Sequence, residues 1–375
     1  MKIARVSCWV LKVPFRYPLF EEDSTMVGTF VEIETDDGTT GHALSAYSMP
    51  YSIRDFINRE VGPAIVGMEP LEIEAVRFHM YWTLAGKFST GAYACAASLI
   101  DVALWDIKGK VTGQPVWRLL GGARRTVPVY VTFGLPSYST EQLIEVAQLL
   151  ISRGLTSLKT AVGAPNRRGD EMLGEATDDL VTYDAARVQA LREALGPDVE
   201  LMMDANKNTT LHQARRLAKL VEPYDLVWFE DPVLKADPRL MAQLRQSTTI
   251  PIAAGSTGTF DLTFLREYLL HEAVDYLQPN VRDIGGFTGG LKAAALAESF
   301  NIPIQMGGNW PHMNMHLHAG VPNGGRVEFH WQGWQIGVML FDGAPEPENN
   351  VVTLPDRPGL GYTPKEGIVK EYAVD

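Results

Sequence analysis

Between residues 127 and 329, short β-rich runs alternate with helical patterns, and this alternation constrains the fold more than any other feature of the chain. The runs fall at 127–133, 155–161, 199–204, 225–230, 250–254, 274–278, 302–306 and 326–329. Parallel strands need a crossover of a dozen or more residues, usually a helix. Eight such units are the arithmetic of a β/α barrel. An open doubly wound sheet is the competing reading, but no glycine-rich phosphate turn follows the first run. Ser139-x-x-Gln142 and Thr210-x-x-Gln213 are capping boxes that mark two of the helix starts.

The flanks have a different rhythm. Residues 2–13 and 29–35 read as strands, the second ending at the turn Asp36-Asp37-Gly38. Helical patterns follow at 52–65, 71–84 and 91–112. Gly121-Gly122 then breaks the chain. The expected division is an α+β domain over 1–124, joined by a C-terminal segment 346–375, and a barrel over 125–345. The last segment is expected to return to the first domain through a strand at 367–372. Two loops carry large side chains: 15–23, aromatic then acidic, and 45–51, with Tyr47, Met49 and Tyr51. Each is a weakly patterned strand or a lid over a binding site. As lids they make Arg16 and Tyr47 candidate substrate contacts.

A formal charge of -12 argues against nucleic acid and anionic membrane surfaces as partners. An anionic substrate would need a local cationic pocket. Cys8 and Cys95 stand in apolar patterns and read as buried free thiols, which suits a reducing cytoplasm. No apolar run reaches membrane-spanning length, and Met1-Lys2-Ile3-Ala4-Arg5 lacks a signal peptide's apolar core. A cytoplasmic homo-oligomer acting on a small molecule is the expectation.

Barrel chemistry sits at the C-terminal ends of the strands. Those ends carry Lys159 and Ala161, Asp204 and Asn206, Glu230, Ser256, Asn280, Gly307 and Glu328. Side chains alternate across a strand, so Lys159 shares a face with Ala161 and Asp204 with Asn206. In Val227-Trp228-Phe229-Glu230-Asp231-Pro232 the proline ends the strand just after two carboxylates. A carboxylate at the end of an apolar strand is costly to bury unless a cation meets it. The plainer readings are an acidic helix cap at Asp231-Pro232 and a turn pair at Asp204-Asn206. Asp204 and Glu230 on neighbouring strands favour a two-carboxylate cation site of the kind hard ions such as Mg2+ prefer.

The chain resembles the enolase superfamily, and most closely its mandelate racemase subgroup. The resemblance lies in Ser98-Leu99-Ile100-Asp101-Val102-Ala103-Leu104-Trp105-Asp106-Ile107-Lys108-Gly109-Lys110 and in Gln114-Pro115-Val116-Trp117-Arg118-Leu119-Leu120-Gly121-Gly122. It continues through Met203-Asp204-Ala205-Asn206, Trp228-Phe229-Glu230-Asp231-Pro232, Gln278-Pro279-Asn280, Ile284-Gly285-Gly286 and Pro355-Asp356-Arg357-Pro358-Gly359-Leu360-Gly361. The implied fold is a modified (β/α) TIM barrel with an α+β capping domain built from the N- and C-terminal segments. The implied chemistry is removal of a proton next to a carboxylate, with the enediolate held by Mg2+. Lys- or His-based proton abstraction is what general accounts of this superfamily give.

The implied site carries over unevenly. Asp204 and Glu230 match the first two metal ligands, while the third position, usually acidic, is Ser256. The usual Lys-x-Lys of strand two is Lys159-Thr160-Ala161, so the second lysine, often the base, is absent. Asn280 and Gly307 stand where a His–Asp dyad is usual. Glu328 matches an acidic position that bonds the substrate carboxylate. Mg2+ binding is therefore expected to be weakened or absent. Lys207 is a solvated loop lysine or an ammonium that pairs Asp204 and Glu230 in a metal's place. Lys159, farther from both carboxylates in strand order, is the preferred base, ahead of Lys207. His312 is a structural histidine or the donor to a leaving group. Asn206, Asn280, Arg282 and Asn309 are candidate substrate contacts, with Arg282-Asp283 alternatively a salt bridge.

Two functions follow. One is a lyase or isomerase acting on a small carboxylate such as an acid sugar, hydroxy acid or amino acid, with dehydration preferred. The other is a binding or regulatory homologue that has lost the usual bases.

Overall fold

The computed structural model describes all residues except 46–48, 85–88, 165–177, 257, 258, 260 and 375. Three long antiparallel strands open the chain: β1 (Ile3–Phe15), β2 (Ser24–Thr35) and β3 (Thr40–Ser45). β1 and β2 stay paired out to Phe15 and Ser24, so of the first aromatic stretch only Phe15 is strand and residues 16–23 form the loop. The helix Gly91–Thr112 packs on this sheet with an almost wholly buried face. Its alanines let the backbones approach: a Cβ on Gly41 would lie 2.1 Å from the Ala103 carbonyl oxygen.

The barrel strands run parallel in the order β10-β4-β5-β6-β7-β8-β9. They are β4 (Thr126–Gly134), β5 (Ser157–Ala161), β6 (Glu200–Asp204), β7 (Leu226–Glu230), β8 (Ile252–Ala254), β9 (Tyr276–Leu277) and β10 (Val327–His330). The expected run at 302–306 is reduced to Ile304, which bridges to Leu277 on one side and Gly324 on the other. Both capping boxes form, at Ser139 with Gln142 and at Thr210 with Gln213. Tyr130, Met202, Trp228 and Ala253 fill the inside of the barrel as a separate apolar layer beneath the strand ends. This is a capping sheet over a modified β/α barrel, as expected.

The tail departs from its expected form. Ile368–Tyr372 is a short helix, and the strand that meets β1 is Ala373–Val374, paired at Val10 and Leu11. A left-handed Gly367 (φ 86°) starts the helix in place of the extended run. Cys8 and Cys95 are buried and free. Among the described residues no helix is long and apolar enough to cross a membrane.

Asp106 ties tail, helix and sheet together. Its Oδ2 lies 3.1 Å from His42 Nδ1 and 2.8 Å from Lys110 Nζ, and its Oδ1 accepts the Leu360 amide at 2.9 Å. Burial opposes the charge, but His42 and Lys110 prevail and hold the carboxyl at about 2. A depressed carboxylate contributes stability above its unfolded value, about 3.9, and loses it as pH falls towards the folded one. We expect roughly 2 kcal/mol to be lost from this group between about pH 4 and pH 2. The check is denaturant midpoints of wild type and Asp106→Asn across that range; parallel curves would show that Asp106 does not set the acid limb.

Candidate active site at the strand ends

Lys159 stands in the middle of β5, points into the barrel and is 1% exposed. Its Nζ lies 2.7 Å from Glu230 Oε1, 3.0 Å from Glu328 Oε1 and 3.1 Å from Asp204 Oδ2. The aromatic face of Tyr130 lies 5.3 Å away. Burial works against the ammonium, but Asp204, Glu230 and Glu328 together hold its pKa well above the ordinary lysine value. Sequence order placed Lys159 far from these carboxylates; the closed barrel brings all four side chains to one point. Three carboxylates around one ammonium favour its protonated form and speak against the role of base expected for it.

The carboxylates are otherwise well occupied. Trp228 Nε1 and Gln278 Nε2 donate to Glu230 Oε2 at 3.1 and 3.0 Å. Asp204 Oδ1 accepts the Asn206 amide at 2.8 Å, across a turn in which Asn206 and Lys207 are both left-handed (φ 48° and 62°). The Thr132 hydroxyl donates to Glu328 Oε1, while Oε2 is buried without a hydrogen-bond partner among the described residues. Burial pushes Glu230 well above the ordinary carboxylate value, with Lys159 opposing it.

Above this cluster opens a cavity of about 490 Å3. Of the expected site residues, Asp204, Asn206, Lys207, Glu230, Ser256, Arg282, Asn309 and Glu328 line it. Lys207 does not pair Asp204 and Glu230; its Nζ donates to the Ser256 carbonyl at 2.7 Å and meets Asp231 Oδ2 at 3.2 Å. Burial disfavours that ammonium, but Asp231 more than restores it and its pKa is raised. Arg282 meets Asp283 at 3.3 Å, so the salt bridge forms and the residue still reaches the cavity.

Three expectations fall elsewhere. Asn280 is fully buried, donating to the Gly307 carbonyl at 2.8 Å and accepting from the Arg282 amide and Asn314 Nδ2. His312 is buried beside Phe329 and Tyr362, with Nε2 3.1 Å from the Pro345 carbonyl, and burial pushes it down to about 4. It is a neutral packing residue outside the cavity, not a donor within it. Arg16 is exposed and pairs with Asp23 at 2.8 Å; its neighbour Tyr17 lines the cavity instead. Tyr47 lies outside the described residues. The first loop is fastened over the barrel through Tyr138 Oη to the Pro18 carbonyl at 2.6 Å and Trp331 Nε1 to the Arg16 carbonyl at 2.9 Å.

Sequence reasoning missed Tyr17, Asp231 and His330 as cavity residues. His330 follows Glu328 by two and therefore shares its face, a signal hidden because the strand was expected to end at 329.

The donor set also bears on a metal. Mg2+ prefers near-octahedral oxygen ligands, including anionic ones. Here both oxygens of Glu230 are engaged, Asp204 faces an ammonium, and Ser256 offers a neutral hydroxyl that lies 3.5 Å from Asp283 Oδ2. Among the described residues no group of three His, Cys, Asp or Glu side chains is arranged to hold a metal ion. The residues as placed do not fit a three-carboxylate Mg2+ site.

A capping sheet over a parallel barrel with charged strand ends defines an enolase-type protein. Residues 8–121 match the mandelate racemase / muconate lactonizing enzyme N-terminal domain, and residues 142–368 match the enolase C-terminal domain-like family. The chain belongs to the mandelate racemase/muconate lactonizing enzyme family of the enolase superfamily. Arabinonate dehydratase of Saccharolobus solfataricus is 29% identical over 94% of this chain and 92% of its own. The 3,6-anhydro-alpha-L-galactonate cycloisomerase of Streptomyces coelicolor is 31% identical over 88% and 87%. Among solved structures, L-talarate dehydratase of a Polaromonas species, complexed with Mg and L-glucarate, is 30% identical with a TM-score of 0.85, covering 100% of this chain and 97% of that one.

Proposed function

We propose that the chain is an acid-sugar dehydratase working in the strand-end cavity, with Mg2+ binding weak or absent. The observation that carries this reading is the composition of the cavity wall. Two cationic heads, Lys207 and Arg282, share it with the carboxylates Asp204, Asp231 and Glu328. A sugar acid offers both halves of the match: one carboxylate for the cations, and several hydroxyls that donate to the carboxylates. The relatives' activities as dehydratases and cycloisomerases of sugar acids support it.

Removing a proton next to a carboxylate builds a second negative charge there, which needs positioned cations and donors. Lys207 and Arg282 would take the substrate carboxylate. Lys159, beneath the floor, keeps the carboxylate wall from repelling it. Tyr17 and the fastened first loop would exclude water.

The test is a panel of pentonates, hexonates and aldarates, followed by semicarbazone absorbance of the 2-keto product, with Mg2+ and with EDTA. Turnover of at least one member is expected; a panel left wholly intact sinks the reading. The second reading, a carboxylate-binding homologue without turnover, is favoured by Ala161, Asn280 and Gly307 standing where bases are usual. It predicts calorimetric binding with no product.

For the metal, a ligand at a hundredfold over its Kd stabilises a fold by about 2.7 kcal/mol, so melting is a sensitive probe. Tm in millimolar Mg2+ is expected to stay within about 1 °C of its value in EDTA, by that same linkage. A large upward shift that disappears in Glu230→Gln would show a competent magnesium site.

A further inference from the structure

The cavity contains one histidine among its described lining residues, His330. His330 ends β10, with Glu328 two residues before it on the same inward face. The residue lines the cavity, and its Nδ1 is shielded from solvent without a hydrogen-bond partner among the described residues, which leaves Nε2 as the nitrogen for a bound acid to meet. The other buried histidines have no such access. His312, His316 and His318 sit in the helix Pro311–Gly320, and His42 is held by Asp106.

We propose that His330 is the residue that removes and returns the proton in this cavity, a proposal that rests on the acid-sugar dehydratase reading. The neighbours bear on its charge as follows. Burial favours the neutral ring, Glu328 on the same strand and Asp204 on β6 favour the imidazolium, and Lys159 on β5 disfavours it. From β4 the partner in register is Thr132, and the helix that follows presents Gln332, both uncharged. Tyr17, Lys207, Glu230, Asp231 and Arg282 border the same space. The balance lowers the ring's pKa below the ordinary histidine value, so the free base is the resting form at neutral pH.

The step balances without an oxidant or reductant. The imidazole takes the proton from the carbon next to the carboxylate, and the C–H electron pair moves into the carboxylate. That pair returns to form a carbon–carbon double bond as the C–O bond at the next carbon breaks. The departing oxygen takes the proton from the imidazolium and leaves as water. The ring is neutral again, and the enol product becomes the 2-keto-3-deoxy acid.

The full-length chain is assayed on the pentonate, hexonate and aldarate panel. General acid–base groups contribute about 10^2- to 10^4-fold, so His330→Asn should lower kcat by at least about 10^2, with KM changed by less than about threefold. The acid limb of kcat/KM should vanish, and added imidazole should restore part of the rate of His330→Ala. His271→Asn, on an exposed histidine, serves as the unaffected control. His330→Asn keeping more than about a third of wild-type kcat overturns the proposal, since that loss falls far short of a base's contribution. If wild type turns over no panel member, the dehydratase reading fails by itself. His330 is then tested by NMR of 15N-histidine-labelled protein, its signal assigned by its loss in His330→Asn. A ring that ignores every panel carboxylate overturns the proposal, and one that shifts with them shows only the contact with the bound acid that the proposal requires.

Discussion

Lys159→Met should cost about 3–5 kcal/mol at pH 8, the range found when one partner of a buried ion pair is removed. The wild-type ammonium meets Glu230, Glu328 and Asp204 within 3.1 Å, and Glu230 and Glu328 are almost wholly buried. Without it the carboxylates must take up protons, so their folded pKa values rise above the unfolded ones, near 4. The sign follows: groups raised on folding stabilise least at high pH. The variant's deficit should therefore be small below about pH 4 and grow as pH rises. A Tm loss on the order of 5–10 °C at pH 8 is expected, given a few degrees per kcal/mol for a chain this large. The same change should free a cation position, so millimolar Mg2+ should raise the Tm of Lys159→Met and not that of wild type. A variant that melts with wild type at pH 8 and ignores Mg2+ would show that the cluster does not depend on this lysine.

Gly307→His should fail to restore a family-type base and should destabilise the fold by about 3 kcal/mol. A Cβ at 307 would lie 2.9 Å from Gln278 Cδ and 3.0 Å from Glu230 Oε1. A full imidazole must displace Gln278, whose amide then leaves Glu230 Oε2 short of a donor it now has at 3.0 Å. Overpacking costs about 1–3 kcal/mol, and a buried acceptor deprived of its partner a similar amount. Gly307→Ala should show a smaller loss in the same direction. If Gly307→His folds with unchanged Tm and gains turnover, the strand-seven end has more room than the packing around Gln278 allows.

The fold was legible because the β/α period is long and repeated, so strand and helix assignments support one another. It failed where pairing is minimal, at Ile304, and where one glycine, Gly367, turns an extended-looking run into a helix. The site was legible as a set of strand ends: Asp204, Glu230, Ser256 and Glu328 do converge. Their pairing was not, because strand order is a linear measure and a closed barrel is a ring. Strands two, three, four and eight all face the same axis, so Lys159 touches Glu328 as readily as Asp204. Arg16 and Tyr17 show a related limit, since neighbouring residues of a short loop can point oppositely and only tertiary contacts decide which enters the cavity.

The pairing of Val10 and Leu11 with Val374 and Ala373 has a consequence for how the molecule comes into being. During synthesis β1 precedes the barrel, and the barrel precedes the segment that pairs with β1. Until that segment forms, the backbone of β1 at Val10 and Leu11 lacks its strand partner, an edge of the kind that recruits other chains. Synthesis is therefore the interval in which this short edge is open, and loss of Ala373 and Val374 would leave it open in the assembled protein.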